Sequence, residues 1–565
     1  MDLISFLNRI DQLTENMNET DLRITIREIA RKTAADERDK FIGFFDKDKD
    51  DHEEITVASV IEELQAIQDE QYSVDMKAMD MSRSWYEGMS EDSDYNDPHL
   101  ICETVEKVCA VVGRCVDERS YAIAVEMFKF LDQYKVKVNT GSNDPEELGL
   151  EELIAENLIH VDLDTLRMDF LYALYMSTPQ EERAQKLYEY MSKWSSPSLK
   201  LENILQQGDQ APDHLKEFYN EWIAILEKSE GVYELDLLIE ALRFQDEGNL
   251  PQAARDHCDV HPGLYVELIQ TAHDDRETMA IVDEALENTD EKLLIRSEIA
   301  LEGARSALSL DMQMKAESYY LKAFASDTSF VNYLRLIGET KDPSRFDDDI
   351  KEIIAKAKER EGDETIRTYG ELAENQVQDV VIKAIEFMQG DVASTREYMI
   401  ANKRMSGWSG TYMTVALPMV MLYLYEGELK SSTARAMAAN ICNTLSFLTA
   451  DYQKGTLSNE DILYTALFLR CMDKWKQRHP MRRNDKAKLL SDVDRIVEKR
   501  VSVMLAQNIR SKFAECASYI AMQGEVEESL GIVDGKQALM ESYRRKYYRH
   551  YNFHSALKTY GMREV

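Results

Sequence analysis

The stretch "IALEGARSALSLDMQMKAESYYLKAFASD" (Ile299–Asp327) decides how the chain is read. Its first half carries Ala304 and Ala307, and its second half runs Ala316, Tyr320 and Ala323 at intervals of four and three. Such intervals return side chains to one face of an α-helix. The two halves therefore predict a helical hairpin. Small residues let the paired helices approach, and the aromatic ring fills the groove toward the next pair.

The order of alanine, a large residue four on and an apolar residue three further recurs upstream. It is Ala124–Phe128–Leu131, then Ala184–Tyr188–Met191, then Ala253–His257–Val260, and the four units start 60, 69 and 63 residues apart. Between and beyond them apolar residues keep the helical spacing from about residue 100 to the C-terminus. The breaks are short: "NTGSNDPEE" (139–147), "KWSSPS" (193–198), "GDQAPD" (208–213) and "KDPSRF" (341–346). No alternating run of β-branched residues is long enough to predict a strand. Only 10 Pro and 22 Gly occur in 565 residues, which argues against a strand-and-turn architecture. Heptads are not sustained, which excludes a long coiled coil.

With Ala304, Ala307, Ala316, Tyr320 and Ala323 at five of its spacings, this stretch resembles the tetratricopeptide repeat (TPR), and "ALRFQDEGNLPQAARDH" (241–257) has the same look around its turn. The terminal proline of that family is replaced by Thr328, and the unit spacing implies two helix pairs per step. The resemblance implies a right-handed α-solenoid whose stacked hairpins present a long concave surface. A second resemblance rests on "SWYEGMSEDSDYNDPH" (84–99), "CVDERSYAIAVEMFKFL" (115–131), "GWSGTYMTVALPMVMLYL" (407–424) and "YRRKYYRHYNFHSAL" (543–557). These are similar to bacterial helical-repeat proteins akin to the helical portions that accompany SWIM-type zinc fingers. No SWIM finger occurs in the chain, so zinc and DNA binding are not implied.

The fold expected is all-α, an α-solenoid of TPR-like hairpins with a small helical piece before it and a basic helical domain after it. The expected divisions are an N-terminal helical segment with an acidic loop (1–80), an acidic linker (81–99), TPR-like repeats (100–340), continuing repeats (341–473) and the basic C-terminal domain (474–565). Net charge is −38, with 67 Lys+Arg against 105 Asp+Glu. It is unevenly placed: residues 474–565 hold 19 basic and 11 acidic side chains, a balance of +8, which leaves −46 on the rest. Such a field repels nucleic acid and anionic membranes except where a basic patch overrides it. The seven cysteines (102, 109, 115, 258, 442, 471 and 516) are sparse and set in apolar surroundings, the usage of a reducing compartment. The opening "MDLISFLNRIDQLTENM" lacks the basic region and cleavage site of a signal peptide. The apolar run Tyr412–Tyr425 contains Pro418 and is too short to span a bilayer, so it reads as a buried helix. A cytoplasmic location without membrane contact is expected.

Candidates for chemistry are few. "FFDKDKDDHEEITV" (Phe44–Val57) places Asp46, Asp48 and Asp50 at the first three ligand positions of an EF-hand. Asp51 then stands where the loop needs glycine, and Val57 where it needs a bidentate glutamate, so 46–54 reads as a solvated acidic loop. His257, Cys258 and His261, with His273 downstream, form the densest group of soft ligands. Pro262-Gly263 breaks the helix directly after them, and an interhelical corner is the competing reading. Ser409 in "SGWSGTY" (406–412) lacks the second glycine of a nucleophile elbow, and Trp408 beside it reads as an inserted core residue. Asp347, Asp348 and Asp349 read as the acidic first turn of a helix rather than a divalent-ion site. No P-loop, dinucleotide fingerprint or H-E-x-x-H motif is present, so no cofactor and no enzyme activity are expected.

At the C-terminus Arg544, Arg545, Lys546, Arg549 and His550 interleave with Tyr543, Tyr547, Tyr548, Tyr551 and Phe553. Basic and aromatic side chains so mixed can stack bases and bind phosphates. They can equally pack an end helix while their cations face the chain's own acids. The functional expectation is a non-catalytic scaffold whose acidic concave face receives a basic or extended protein segment. Nucleic-acid association through residues 474–565, or a metal-dependent activity near 256–275, are the alternatives.

Overall fold

The computed structural model describes residues 57–69, 72–76, 95–97, 99–139, 146–208, 210, 212–245, 249–360, 362–401, 413–447 and 464–563. The helices expected over 1–45, the acidic loop with Asp46, Asp48 and Asp50, residues 81–94 of the linker, and Trp408 with Ser409 lie outside them. Two compact units make up the chain, one of residues 1–179 and 202–212, the other of 180–201 and 213–565. The all-α class holds: among the described residues, 25 α-helices stand beside one small sheet.

In the first unit, α1 (Val57–Asp69), β1 (Ser73–Met76), β2 (Tyr95–Asn96), α2 (Ile101–Asp117), α3 (Tyr121–Gln133), β3 (Val136–Asn139), β4 (Glu146–Leu148), α4 (Leu150–Ala155) and α5 (Leu163–Ser177) follow in order. Val105, Val108, Val112 and Val116 recur at helical spacing on α2 and are buried where it meets α3 and α5. Between α3 and α5 the Phe128 and Phe170 rings stack at 4.3 Å. Asp162 caps α5 by accepting from the N–H groups of Asp164 and Thr165 at 3.1 and 3.2 Å. The sheet runs β2–β1–β3–β4, with β1 and β3 parallel and the outer pairs antiparallel. Val74 lies opposite Val138, and both are buried with Val136. No strand was expected here. Strands of two to four residues point at most two side chains inward, too few for a period of two to register.

The second unit begins with α6 (Gln180–Trp194). Past α7 (Leu201–Ile204), of which residues 202–204 belong to the first unit, it continues through α8 (Leu215–Leu226), α9 (Val232–Gln245) and α10 (Leu250–Asp256). Then comes the stack that holds the opening stretch: α11 (Gly263–Gln270), α12 (Asp275–Asn288), α13 (Ile295–Ser309), α14 (Gln313–Ser326) and α15 (Phe330–Glu339). Each helix of the stack packs on its chain neighbour. The expected hairpin is α13 and α14, with Ala304, Ala307, Ala316 and Ala323 buried between them and their neighbours. At Gly303 a Cβ would lie 2.7 Å from Val282 of α12 and 3.0 Å from the Tyr319 ring of α14. The alanine pattern falls inside helices at α3, α6 and α14. It fails at Ala253–His257–Val260, because α10 ends at Asp256 and its last two members stand in the following turn.

Beyond a 3-10 turn (Pro343–Phe346) come α16 (Asp347–Glu359), α17 (Asp379–Met388), α18 (Val392–Ala401), α19 (Met413–Leu424), α20 (Ser432–Phe447), α21 (Thr465–Arg478), α22 (Arg483–Ala506), α23 (Phe513–Ser529), α24 (Gly535–Lys546) and α25 (Tyr551–Thr559). The apolar run expected as a buried helix is α19, and Val415 through Leu417 and Met419 through Leu422 are fully buried. It packs not only on α18 and α20 but on α22 and α23 as well, while α21 packs on α15 and α20. Residue 474, expected to open a domain, lies within α21. No helix among the described residues is long and apolar enough to cross a membrane.

The α23–α24 hairpin depends on Gly524, where a Cβ would collide with the Lys536 Cα and sit 3.0 Å from its backbone nitrogen. Backbone cannot rotate aside as a flexible side chain does. Gly524→Ala is therefore expected to cost about 1–3 kcal/mol, the usual range for overpacking, read as a lower urea midpoint with an unchanged slope.

Candidate functional site

Successive antiparallel helices put their connections alternately at two ends of the stack. At one end lie residues 257–263, 289–294 and 327–329, and at the other 271–274, 310–312 and 340–346. The two ends are finished differently.

The first end is covered by the chain's own residues 362–378. Glu371, Ala373, Asn375 and Val377 are buried in alternation, as in an extended strand with one face inward. Leu294 N–H donates to the Ala373 carbonyl at 2.8 Å, and Asn375 N–H to that of Lys292 at 3.2 Å. The Asn375 amide exchanges hydrogen bonds with Thr328, donating to its hydroxyl at 2.7 Å. Arg367 reaches Glu230 at 2.7 Å. One extended segment thus ties three successive corners of the stack, and reaches the α8–α9 connection as well.

Its anchor is His261, a residue nominated from sequence. The ring is fully buried. Nδ1 lies 3.0 Å from Glu371 Oε1 and Nε2 lies 2.8 Å from the Leu226 carbonyl, while Gly263 N–H donates to Glu371 Oε2 at 3.1 Å. A carbonyl can only accept, so Nε2 carries a proton, and the carboxylate opposite Nδ1 draws a second. Burial works against that charge. The hydrogen bonds that the ring donates to Glu371 and Leu226, with the carboxylates of Glu371 and Glu234, outweigh it and raise the histidine above its usual 6.5. Burial also pushes Glu371 up, offset by the ring and by Gly263, and the histidine direction governs because its Nε2 partner leaves no alternative.

The other nominated ligands face elsewhere. His257 Nε2 pairs with Glu227 at 3.1 Å, and the Cys258 thiol points to the carbonyls of Arg255 and Asn288 at 3.8 and 3.6 Å. His273 is exposed past the far end of α11 from His261. Among the described residues no group of three or more His, Cys, Asp or Glu side chains is placed to hold a metal. The corner is an interhelical junction built on a histidine–glutamate pair.

The second end of the stack is open. Leu308, Met312 and Met314 are 37, 45 and 75% exposed around the α13–α14 turn. Asp311 sits in that turn with φ 57°, a left-handed conformation that aspartate tolerates. The neighbouring turns are tied to it: Ser309 donates to Asp275, and the Gln313 amide donates to the Glu339 carbonyl at 2.8 Å. Asp274 caps α12 through the N–H groups of Glu277 and Arg276, which hold its carboxyl below the usual range. Asp342 is held down in the same direction by Ser344. These acids stay ionised beside an exposed apolar patch. Asp347, Asp348 and Asp349 form the exposed first turn of α16, where Asp348 meets Lys351 at 3.2 Å.

The C-terminal cluster is divided. Lys546 is paired with Glu498, and Arg545 with Glu541 at 3.2 Å. Tyr547 lies against Tyr543 and Phe553 at ring distances of 6.3 and 6.2 Å. Arg544 is half-buried at the end of α24. Arg549 lies over the Tyr548 ring at 5.3 Å, and Tyr548 and Tyr551 are 61 and 80% exposed. Elsewhere in the basic region Lys486, Arg500 and Lys536 pair with Glu426, Glu515 and Glu525. No protein-family model matches the chain, and no curated protein matches it.

A raised histidine stabilises the fold below its unfolded value and loses that contribution as pH climbs through the higher folded value. Wild-type stability is therefore expected to fall as pH rises above the ordinary histidine value of 6.5, with His261→Leu abolishing that part of the slope and costing about 3–5 kcal/mol by stranding Glu371. Urea midpoints at several pH values measure both. Parallel profiles for the two proteins would sink the ion-pair reading.

Proposed function

We propose that the protein is a non-catalytic interaction scaffold that receives a basic or extended protein segment at the open end of its helical stack. The observation that carries this reading is the exposed Leu308, Met312 and Met314 among the acids Asp274, Asp275, Asp311 and Asp342. Methionine is flexible and polarisable, and surfaces built from it re-pack around varied apolar side chains. The surrounding carboxylates select a cationic partner and speed its encounter. The covered end supports the reading by example, because there the stack already holds an extended segment through backbone hydrogen bonds and alternating side chains. A second reading, nucleic-acid association, draws on the exposed Tyr548 and Tyr551 beside Arg549.

The test is affinity capture by the full chain from its native lysate, with and without nuclease, beside the double variant Met312→Ser/Met314→Ser. Both positions are exposed, so the variant should keep its stability within about 0.5 kcal/mol. A protein recovered in near-stoichiometric amount, surviving nuclease and reduced about fivefold or more by the variant, is the expected result. Loss of all bound material on nuclease treatment would overturn the scaffold reading in favour of the second.

A further inference from the structure

A cavity of about 220 Å³ opens between α15, the turn after it, the end of α17 and α21. One face of α21 supplies much of its wall, because Cys471, Lys474, Trp475 and Arg478 recur at i, i+3, i+4 and i+7. The floor is aromatic. Trp475, 4% exposed, lies 4.7 Å from the Tyr423 ring, 5.0 Å from Phe387 and 4.8 Å from His479. Tyr333 is buried beside it, and Met388 and Ile337 add apolar surface.

The polar groups of this cavity are mostly donors. The Trp475 indole nitrogen is buried away from the cavity, and the ring contributes its apolar face. The Tyr333 hydroxyl accepts from the Gln389 amide at 2.7 Å, so its own proton is available to donate. Arg478 makes no ion pair among the described residues, and Lys474 has a long 3.4 Å contact to the Gly338 carbonyl. Asp347 is the one carboxylate in the lining, against two cations. His479 uses Nδ1 toward the Trp475 carbonyl at 3.1 Å.

We propose that this cavity binds a small planar ring bearing a carboxylate. An apolar cavity of about 150 Å³ suffices for benzene, so the volume here holds one ring with a carboxylate attached. The ring lies against Trp475, Tyr333 and Met388, while the carboxylate meets Arg478 and Lys474. Arginine presents a planar fork that matches two carboxylate oxygens, and lysine adds a point charge. The cavity borders the open end of the stack through Pro343 and Ser344, but Leu308, Met312, Met314 and the acids Asp274, Asp275, Asp311 and Asp342 do not line it.

Benzoate is the probe, titrated into the full chain by calorimetry and by saturation-transfer NMR, with benzyl alcohol as the uncharged control. Saturable benzoate binding in the millimolar range or tighter, weakened about tenfold by Arg478→Gln and further by Lys474→Gln, with benzyl alcohol bound at least about tenfold more weakly, is expected. Both substituted residues are exposed, so circular dichroism should be unchanged. Absence of saturation up to about 10 mM benzoate, equal binding of benzyl alcohol, or indifference to both substitutions overturns the assignment.

Discussion

The second unit turns on an imidazole that meets an acceptor at both ring nitrogens. His261 joins the Leu226 carbonyl at the end of one helix to Glu371 on a segment 110 residues downstream. Helices stacked neighbour on neighbour are held mainly by local contacts and can splay at their ends. A segment that crosses three corners and is pinned at one of them by a buried charged hydrogen bond couples those corners. Asn375 repeats the device at the next corner but one, and Arg296 serves the corner between, donating to the carbonyls of Leu286 and Thr289 at 2.8 and 2.5 Å. Each interaction satisfies backbone groups that the helix ends would otherwise leave unpaired.

The helices were legible because burial on one face writes a period of 3.6 into the sequence, and the α13–α14 hairpin could be read at the level of single residues. The third alanine unit was misleading for a definite reason: Pro262 and Gly263 follow it, and the chain turns before His257 can take a groove position. The covering segment "ELAENQV" (371–377) was invisible because its inward residues include Glu371 and Asn375. They are buried for hydrogen bonding rather than apolarity, so no hydrophobic alternation marks them. His261 stood out in the sequence as part of a dense ligand group. Its chemistry did not, since the partner that defines it is remote in the chain. The face of α21 that lines the cavity was readable as helical spacing, but nothing local shows that it borders a void rather than a neighbour.

Charge tells a similar story of partners chosen at a distance. The basic excess beyond residue 474 suggests a surface for polyanions when counted alone. In the fold Lys486, Arg500, Lys512, Lys536 and Lys546 are paired with glutamates. Four of these five pairs hold helices α22 to α24 to each other and to the α19–α20 connection. Other cations stay exposed, among them Arg478, Arg482, Arg483, Lys488, Lys499 and Arg510, and Arg549 stands beside the exposed Tyr548 and Tyr551 at the end of the last hairpin. Asp274, Asp275 and Asp342 at the open end of the stack are also locally bonded, but to N–H and hydroxyl groups, which neutralise nothing.

One short helix joins these features. The start of α15 belongs to the covered end, where Asn332 donates to Asp327 and Ser297 at 2.7 and 2.9 Å beside Thr328. Its middle supplies Tyr333 and Ile337 to the cavity. Its last residue, Glu339, accepts from Gln313 at the open end and meets Arg470 of α21 at 2.6 Å. Seven of its ten residues are buried. Close-packed interiors do not absorb a displacement locally, so any shift of α15 on filling the cavity has to be shared by the strap at one end and the exposed turn at the other. The two ends of the stack and the cavity are therefore joined by one closely packed helix, fixed at its start by the Asn332 hydrogen bonds.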